Sequence, residues 1–249
     1  LLVASGSHSK FLARLDLEVK KKRVTKYAFK LMPVFSDAIP ADREIAALIE
    51  KIRAPYKAEL NEVVGKTEKL LYRRGNFNGT FDDLICTAML EERDAQIALS
   101  PGFRWGACVL PGQDIRMEDV YNHTAITYAA CTRNTLKGAF VKVILEDVGD
   151  NLFNTDPYYQ QGGDMVRVGG MGFTIDITKK MGERVSNMTL LSSGEPIDPN
   201  KDYVVAGWAS VNEGTEGPQI WEVVENYIRK QGMISVSSDS NVKLIGQEL

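Results

Sequence analysis

Four short stretches hold the residue types that bind or transform a ligand. In the first, Arg73 and Arg74 run into Gly75-Asn76-Phe77-Asn78-Gly79, just ahead of a helical repeat at Phe81, Leu84, Ile85, Ala88 and Met89. Backbone N–H groups at a helix N-terminus favour an anion, which makes Arg74, Asn76 and Asn78 candidate substrate-binding residues. A plain turn and N-cap with solvated arginines explains the stretch equally well. In the second, residues 100–106, Arg104 follows a strand end between Phe103 and Trp105. A guanidinium there offers a fork of donors to a planar or tetrahedral oxyanion, so Arg104 is the candidate catalytic residue; simple packing of the two aromatics is the alternative. The third, residues 156–170, concentrates Tyr158, Tyr159, Gln161, Gly162, Gly163 and Asp164, all candidate substrate-binding residues. Glycines let a backbone approach a ligand closely, and tyrosines wall a groove while donating hydrogen bonds. The stretch lacks the glycine spacing of a dinucleotide site. The fourth, residues 212–218, is a polar loop carrying Glu216, a candidate substrate-binding residue, although in isolation the loop reads as a surface turn.

Metal and nucleophile chemistry have little to work with. His8 and His123 are the only histidines, so a dinuclear centre or a Ser-His-Asp hydrolase would have to be built almost without imidazole. No residue is assigned to metal. Cys86, Cys108 and Cys131 form no C-x-x-C pair and are expected as three buried thiols. The 249 residues are 44% hydrophobic and 25% charged, which excludes a disordered or low-complexity chain. A net charge of −3 gives no basic footprint for nucleic acid or an anionic membrane. No apolar run approaches the roughly 20 residues that span a bilayer.

Periodicity locates the elements around these stretches. Leu1 to Ala4 is apolar without a charged n-region or initiator Met, so it reads as an interior strand of something larger and not as a signal peptide. Phe11, Ala13, Leu15, Leu17 and Val19 alternate, a basic turn follows, and Thr25, Tyr27, Phe29 and Leu31 alternate again, predicting a hairpin. Pro33 and Pro40 bracket a link where a domain boundary is expected, dividing residues 1–40 from 41–249. A long helix is expected from about Asp42 through Leu60, kinked at Pro55, and further helices at 81–89, 140–148 and 220–228. Strands are expected at 95–99, 126–132, 173–177, 185–191 and 203–208. The fold class is α+β, a mixed sheet with flanking helices.

Several strings resemble a known family. Ser7-His8-Ser9-Lys10-Phe11-Leu12 with Arg14-Leu15-Asp16-Leu17 resembles the last strand pair of the metallophosphatase domain in the 5′-nucleotidase superfamily, and the chain from about Val63 onward resembles that superfamily's C-terminal substrate domain. The runs from Leu71 to Asp82, from Ser100 to Gly106 and from Pro157 to Arg167 are similar to the SoxB thiosulfohydrolases in particular.

The resemblance implies a 5′-nucleotidase C-terminal-like domain preceded by a remnant hairpin of the metallophosphatase domain. It implies a periplasmic hydrolase with two manganese ions held upstream of this chain. Its reaction would release sulfate from a cysteine-bound thiosulfonate on the SoxYZ carrier, whose glycine-rich arm would pass Tyr158, Tyr159, Gly162 and Gly163. No metal is expected on the chain itself. Nucleotidases of the superfamily stack the base between two aromatic rings, and those positions fall at Ile126 and Ser210 here. Arg104 matches the glycine-flanked arginine of the nucleotidase pocket, and Arg74 is a rough counterpart of a second. Two other functions stay open at this point: a 5′-nucleotidase or related phosphoesterase, and a non-catalytic binding module.

Overall fold

The computed structural model describes every residue except 5, 7–9, 74, 76, 104–105, 211–214, 237–240 and 247–249. The chain divides into two compact units, Leu1–Lys57 and Ala58–Leu249.

In the first unit, β1 (Phe11–Lys20) and β2 (Arg23–Pro33) form the expected antiparallel hairpin. Lys21 and Lys22 both take positive φ, 48° and 62°, the two-residue geometry whose twist matches that of the flanking strands. Cross-strand partners share a face. Leu15 therefore sits with Phe29 and Leu17 with Tyr27, while Arg14 and Glu18 sit with Lys30 and Lys26 on the other side. Residues 1–4 form no strand, contrary to expectation. They lie over the apolar face, where Leu1, Leu2, Val3 and Ala4 line a groove with Leu15, Tyr27 and Phe29.

Helix α1 (Arg43–Arg53) starts where expected, capped by the Asp42 carboxylate, which accepts from the N–H groups of Glu44 and Ile45. Pro55 ends it in a 3₁₀ turn, Ala54–Tyr56, before the single turn α2 (Lys57–Leu60).

The second unit is built on two apolar clusters. Helix α3 (Thr80–Glu92) runs through the first of them with eight buried residues, and Asp82 and Asp83 occupy its first turn, the favourable end of the helix dipole. Around it pack α4 (Met117–Thr124), α6 (Ile220–Gln231) and a three-stranded sheet of β11 (Met233–Ile234), β3 (Val63–Thr67) and β5 (Asp114–Arg116). The second cluster joins α5 (Gly138–Phe153) to β12 (Val242–Ile245), β8 (Met171–Asp176) and β9 (Val185–Leu190). Between the clusters runs a four-stranded sheet, β6 (Thr132–Lys137), β10 (Asp202–Gly207), β4 (Ile97–Ser100) and β7 (Arg167–Gly169), in which β10 and β4 are parallel. The α+β class holds, with the strands divided among several small sheets.

Two local expectations need correction. The apolar run Ile126 to Thr132 is not a strand: pairing begins at Thr132, on the polar sequence TRNTLK, and residues 126–131 make a single bridge, Ala130 to Gln219. Apolar periodicity reports burial, and Ala129 and Cys131 are buried. Edge strand β6 needs only its one partner, β10. Cys108 is exposed, whereas Cys86 and Cys131 are buried. It precedes Val109, whose bridge to Leu71 turns the valine inward and the cysteine out.

Candidate functional site

Three of the four stretches meet at one buried cluster of charges. Arg73, fully buried despite its place at a loop, donates from Nε to Asp82 Oδ1 (2.6 Å), from Nη1 to the His123 carbonyl (2.7 Å) and from Nη2 to the Pro101 carbonyl (2.8 Å). Its guanidinium carbon lies 5.4 Å from the Phe103 ring centroid and 6.0 Å from that of Trp208, within cation–π range. Arg167 approaches the other Asp82 oxygen at 3.3 Å and Asp164 Oδ2 at 3.4 Å, and donates to the carbonyls of Gly75 (2.5 Å) and Met165 (3.2 Å). Two guanidinia thus share one carboxylate. Burial lifts the Asp82 carboxyl above its ordinary range while Arg73 and Arg167 oppose it, and burial likewise lowers the pKa of Arg73. Charges this deep are tolerable only when paired and hydrogen-bonded.

His123 completes the cluster. Its ring stacks on Phe81 at 3.7 Å between centroids, and Nε2 lies 2.9 Å from the Ala107 carbonyl oxygen. A carbonyl can only accept, so the neutral ring carries its proton on Nε2. Burial, with Arg73 nearby, holds the His123 pKa down at about 4. Gly106 lies flat against this ring at a φ of +97°, and a Cβ there would come within 2.4 Å of the imidazole.

Above the parallel pair β4 and β10 opens a cleft of about 260 Å³, lined by Ser100, Pro101, Asn134, Val166, Trp208 and Ser210 among others. It lies at the C-terminal ends of these strands, where sheets of this kind hold ligands. The Trp208 indole donates to Ser100 Oγ (2.8 Å) and meets Phe103 edge-on. Ser210 lines the cleft, while Ile126 packs against the first apolar cluster and is not part of the lining.

The sequence candidates fall as follows. Arg104, Arg74 and Asn76 lie outside the described residues. Asn78 is half-buried and donates to Asp83 Oδ2 (2.9 Å). Asp164 is buried at the ion pair with Arg167. Tyr158 and Tyr159 lie on an exposed 3₁₀ turn, Pro157–Tyr159, with rings edge to face at 5.4 Å. Gln161, Gly162 and Gly163 are exposed, and both glycines take positive φ with open space where a Cβ would be. The Gly162 N–H bonds the Asn151 carbonyl (3.1 Å), and Phe77 stacks on Phe153 (6.3 Å), so the first and third stretches flank the same end of α5. Glu216 is exposed in the turn before α6.

Sequence reasoning missed Arg73, Asp82, His123 and Arg167 as a unit. The signals were an aspartate inside an apolar helix face and an arginine between Val166 and Val168 in a strand. Among the described residues no three His, Cys, Asp or Glu side chains group to hold a metal ion. The manganese that the resemblance implies therefore finds no ligand set among them, and His123 is already committed to Ala107. No helix among the described residues is long and apolar enough to cross a membrane.

Comparison with known proteins places this geometry. The family model of the 5′-nucleotidase C-terminal domain matches residues 63–230. The structure of sulfate thiohydrolase SoxB from Thermus thermophilus, solved in complex with glycerol, superposes with a TM-score of 0.88 at 33% identity over 96% of this chain and 45% of that one. A 5′-nucleotidase precursor, also from Thermus thermophilus, gives a TM-score of 0.77 at 18% identity, over 96% of this chain and 50% of its own. The NAD nucleotidase of Haemophilus influenzae gives 0.62 at 17% identity, over 99% and 55%. These last two show the fold alone. The chain spans about half the length of these neighbours. No curated protein sequence matches it significantly. With the family match covering most of the chain and its fold shared by hydrolases, the chain belongs to the 5′-nucleotidase C-terminal domain family.

Proposed function

We propose that this chain is the substrate-recognition part of a longer, periplasmic SoxB-like thiosulfohydrolase, which releases sulfate hydrolytically from cysteine-bound thiosulfonate on the SoxYZ carrier. The observation that carries this reading is the similarity to the Thermus sulfate thiohydrolase along nearly the whole chain, at 33% identity. The cleft supports it from a second side. Ser210 lines it, at the position where the resemblance aligns a nucleotidase's stacking ring, and a base without its stack forfeits about 1–3 kcal/mol per contact.

In this reading Arg104 binds the oxyanion of the sulfonate through its fork of donors, and Arg74, Asn76 and Asn78 extend that surface. Tyr158, Tyr159, Gln161, Gly162 and Gly163 line the path of the carrier's arm. Asp164 holds the base of that loop through Arg167, and Glu216 borders the site. The manganese and the water it activates belong to the remainder of the longer protein. The test is a direct competition of substrates: the manganese-loaded full-length protein should release sulfate from thiosulfonated SoxYZ and no phosphate from AMP. Phosphate release from nucleotides without sulfate release would replace this reading with a nucleotidase.

A further inference from the structure

We infer that Arg73 and His123 are positioning residues that clamp both ends of the loop carrying Arg104. The inference rests on the reading of that loop as the anion-binding element. One end of the loop is held at Pro101, whose carbonyl accepts from Arg73 Nη2 at 2.8 Å. The same carbonyl accepts the Phe103 N–H at 3.1 Å, closing a tight turn there. The other end is held at Ala107, whose carbonyl accepts from His123 Nε2 at 2.9 Å. Arg73 Nη1 in turn bonds the His123 carbonyl at 2.7 Å, so the two holders are joined.

The parts are built for rigidity. Arg73 and His123 are each 1% exposed. Asp82 anchors the Arg73 head from α3, and Phe81, one residue earlier, stacks on the imidazole. Gly106 has no Cβ to push that ring away. A planar fork with three separate acceptors fixes an arginine more tightly than a single ammonium contact could. Neither residue needs to touch substrate. Their effect is to fix residues 101–103 and 106–107 before the anion arrives, which is where orientation contributes to rate.

The experiment is a double-mutant cycle in the full-length, manganese-loaded protein, read as sulfate release from thiosulfonated SoxYZ. Arg104→Lys should lower kcat by roughly 10²–10³, the scale of one lost oxyanion donor. Arg73→Lys keeps the charge beside Asp82 but cannot hold Pro101 and His123 together. It should lower kcat about tenfold with KM for the carrier within about twofold, and cost less than about twofold once Arg104 is already lysine. His123→Gln, whose amide can still donate to Ala107, should keep most of the activity that His123→Leu loses. Costs of Arg73→Lys and Arg104→Lys that simply multiply would make Arg73 a general stabiliser and overturn the clamp. Hydrogen exchange on the 249-residue chain gives an answer independent of turnover. Arg73→Lys, or His123→Leu should the lysine variant not fold, must speed exchange in residues 101–107 while leaving β8 and β9 unchanged. Unchanged exchange in that loop refutes the clamp, whereas an inactive parent protein with an accelerated loop refutes only the functional reading.

Discussion

A buried imidazole whose ring lacks a second partner is a titration point, and His123 is one. Its Nδ1 is buried without a hydrogen bond, and the folded ring resists protonation until about pH 4 where an ordinary histidine takes up a proton near 6.5. Between those values the unfolded chain binds more protons than the folded one. Stability therefore falls as pH drops from 6.5 towards 4 and is untouched by this group above that window. The shift corresponds to about 3 kcal/mol. Urea midpoints at about pH 7 and about pH 4.5 should show the native chain losing up to about that much more than His123→Gln, which has no proton to gain. Parallel losses in the two proteins would mean that His123 is not the acid-sensitive group.

Elements are joined here by carboxylates as much as by apolar contact. On α5, Val141 and Leu145 face the second cluster, and the buried Glu146 reaches across to the turn before β9. Its two oxygens accept from the N–H groups of Gly182 (2.8 Å), Arg184 (3.3 Å) and Val185 (2.7 Å). Arg184 answers in the other direction, donating to Asp150 Oδ1 (2.7 Å) and the Phe153 carbonyl (3.1 Å) on the same helix. Removing the acceptor leaves the buried N–H groups of Arg184 and Val185 unsatisfied, while the exposed Gly182 N–H can turn to water, so Glu146→Ala should cost about 2–3 kcal/mol. Glu146→Gln retains one acceptor oxygen and should cost visibly less. Equal midpoints for Glu146→Ala and the native chain in urea denaturation would show that apolar packing alone holds α5 to β9.

For the molecule as a whole, the unit Leu1–Lys57 stands out for what it leaves uncovered. Leu17, Val19, Tyr27 and Phe29 on the hairpin are each at least 45% exposed, and Ile45, Leu48, Ile49 and Ile52 on α1 at least 48%. None of the residues of α1 is buried. An isolated two-stranded hairpin is marginal in water, and contiguous apolar surface of this kind promotes association. Sedimentation of the 249-residue chain should accordingly show concentration-dependent self-association, weakened by Leu17→Lys with Phe29→Glu on the apolar face. A chain that stays monomeric throughout would mean this surface is too well solvated to need a partner.

Features that depend on near neighbours were legible in the residues alone. Alternation gave the hairpin and its faces, the 3.6-residue repeat gave α1, α3, α5 and α6, and Asp42 and Pro55 marked where α1 begins and breaks. The loop strings from Leu71 to Asp82, Ser100 to Gly106 and Pro157 to Arg167 carried the family resemblance, because a loop's identity is written in its own residues. The remaining features came from packing between distant segments. Nothing local tells that Arg73 is spent wholly on internal partners, since its acceptors Pro101 and His123 are 28 and 50 residues away. Nothing local tells that Arg167, on β7, shares Asp82 of α3 with it. The polar strand β6 escaped detection because its partner β10, and not its own pattern, makes it a strand. Side-chain periodicity reports which face meets the core, whereas the pairing of charges and edge strands is set by which distant segments the packed core brings within hydrogen-bond reach.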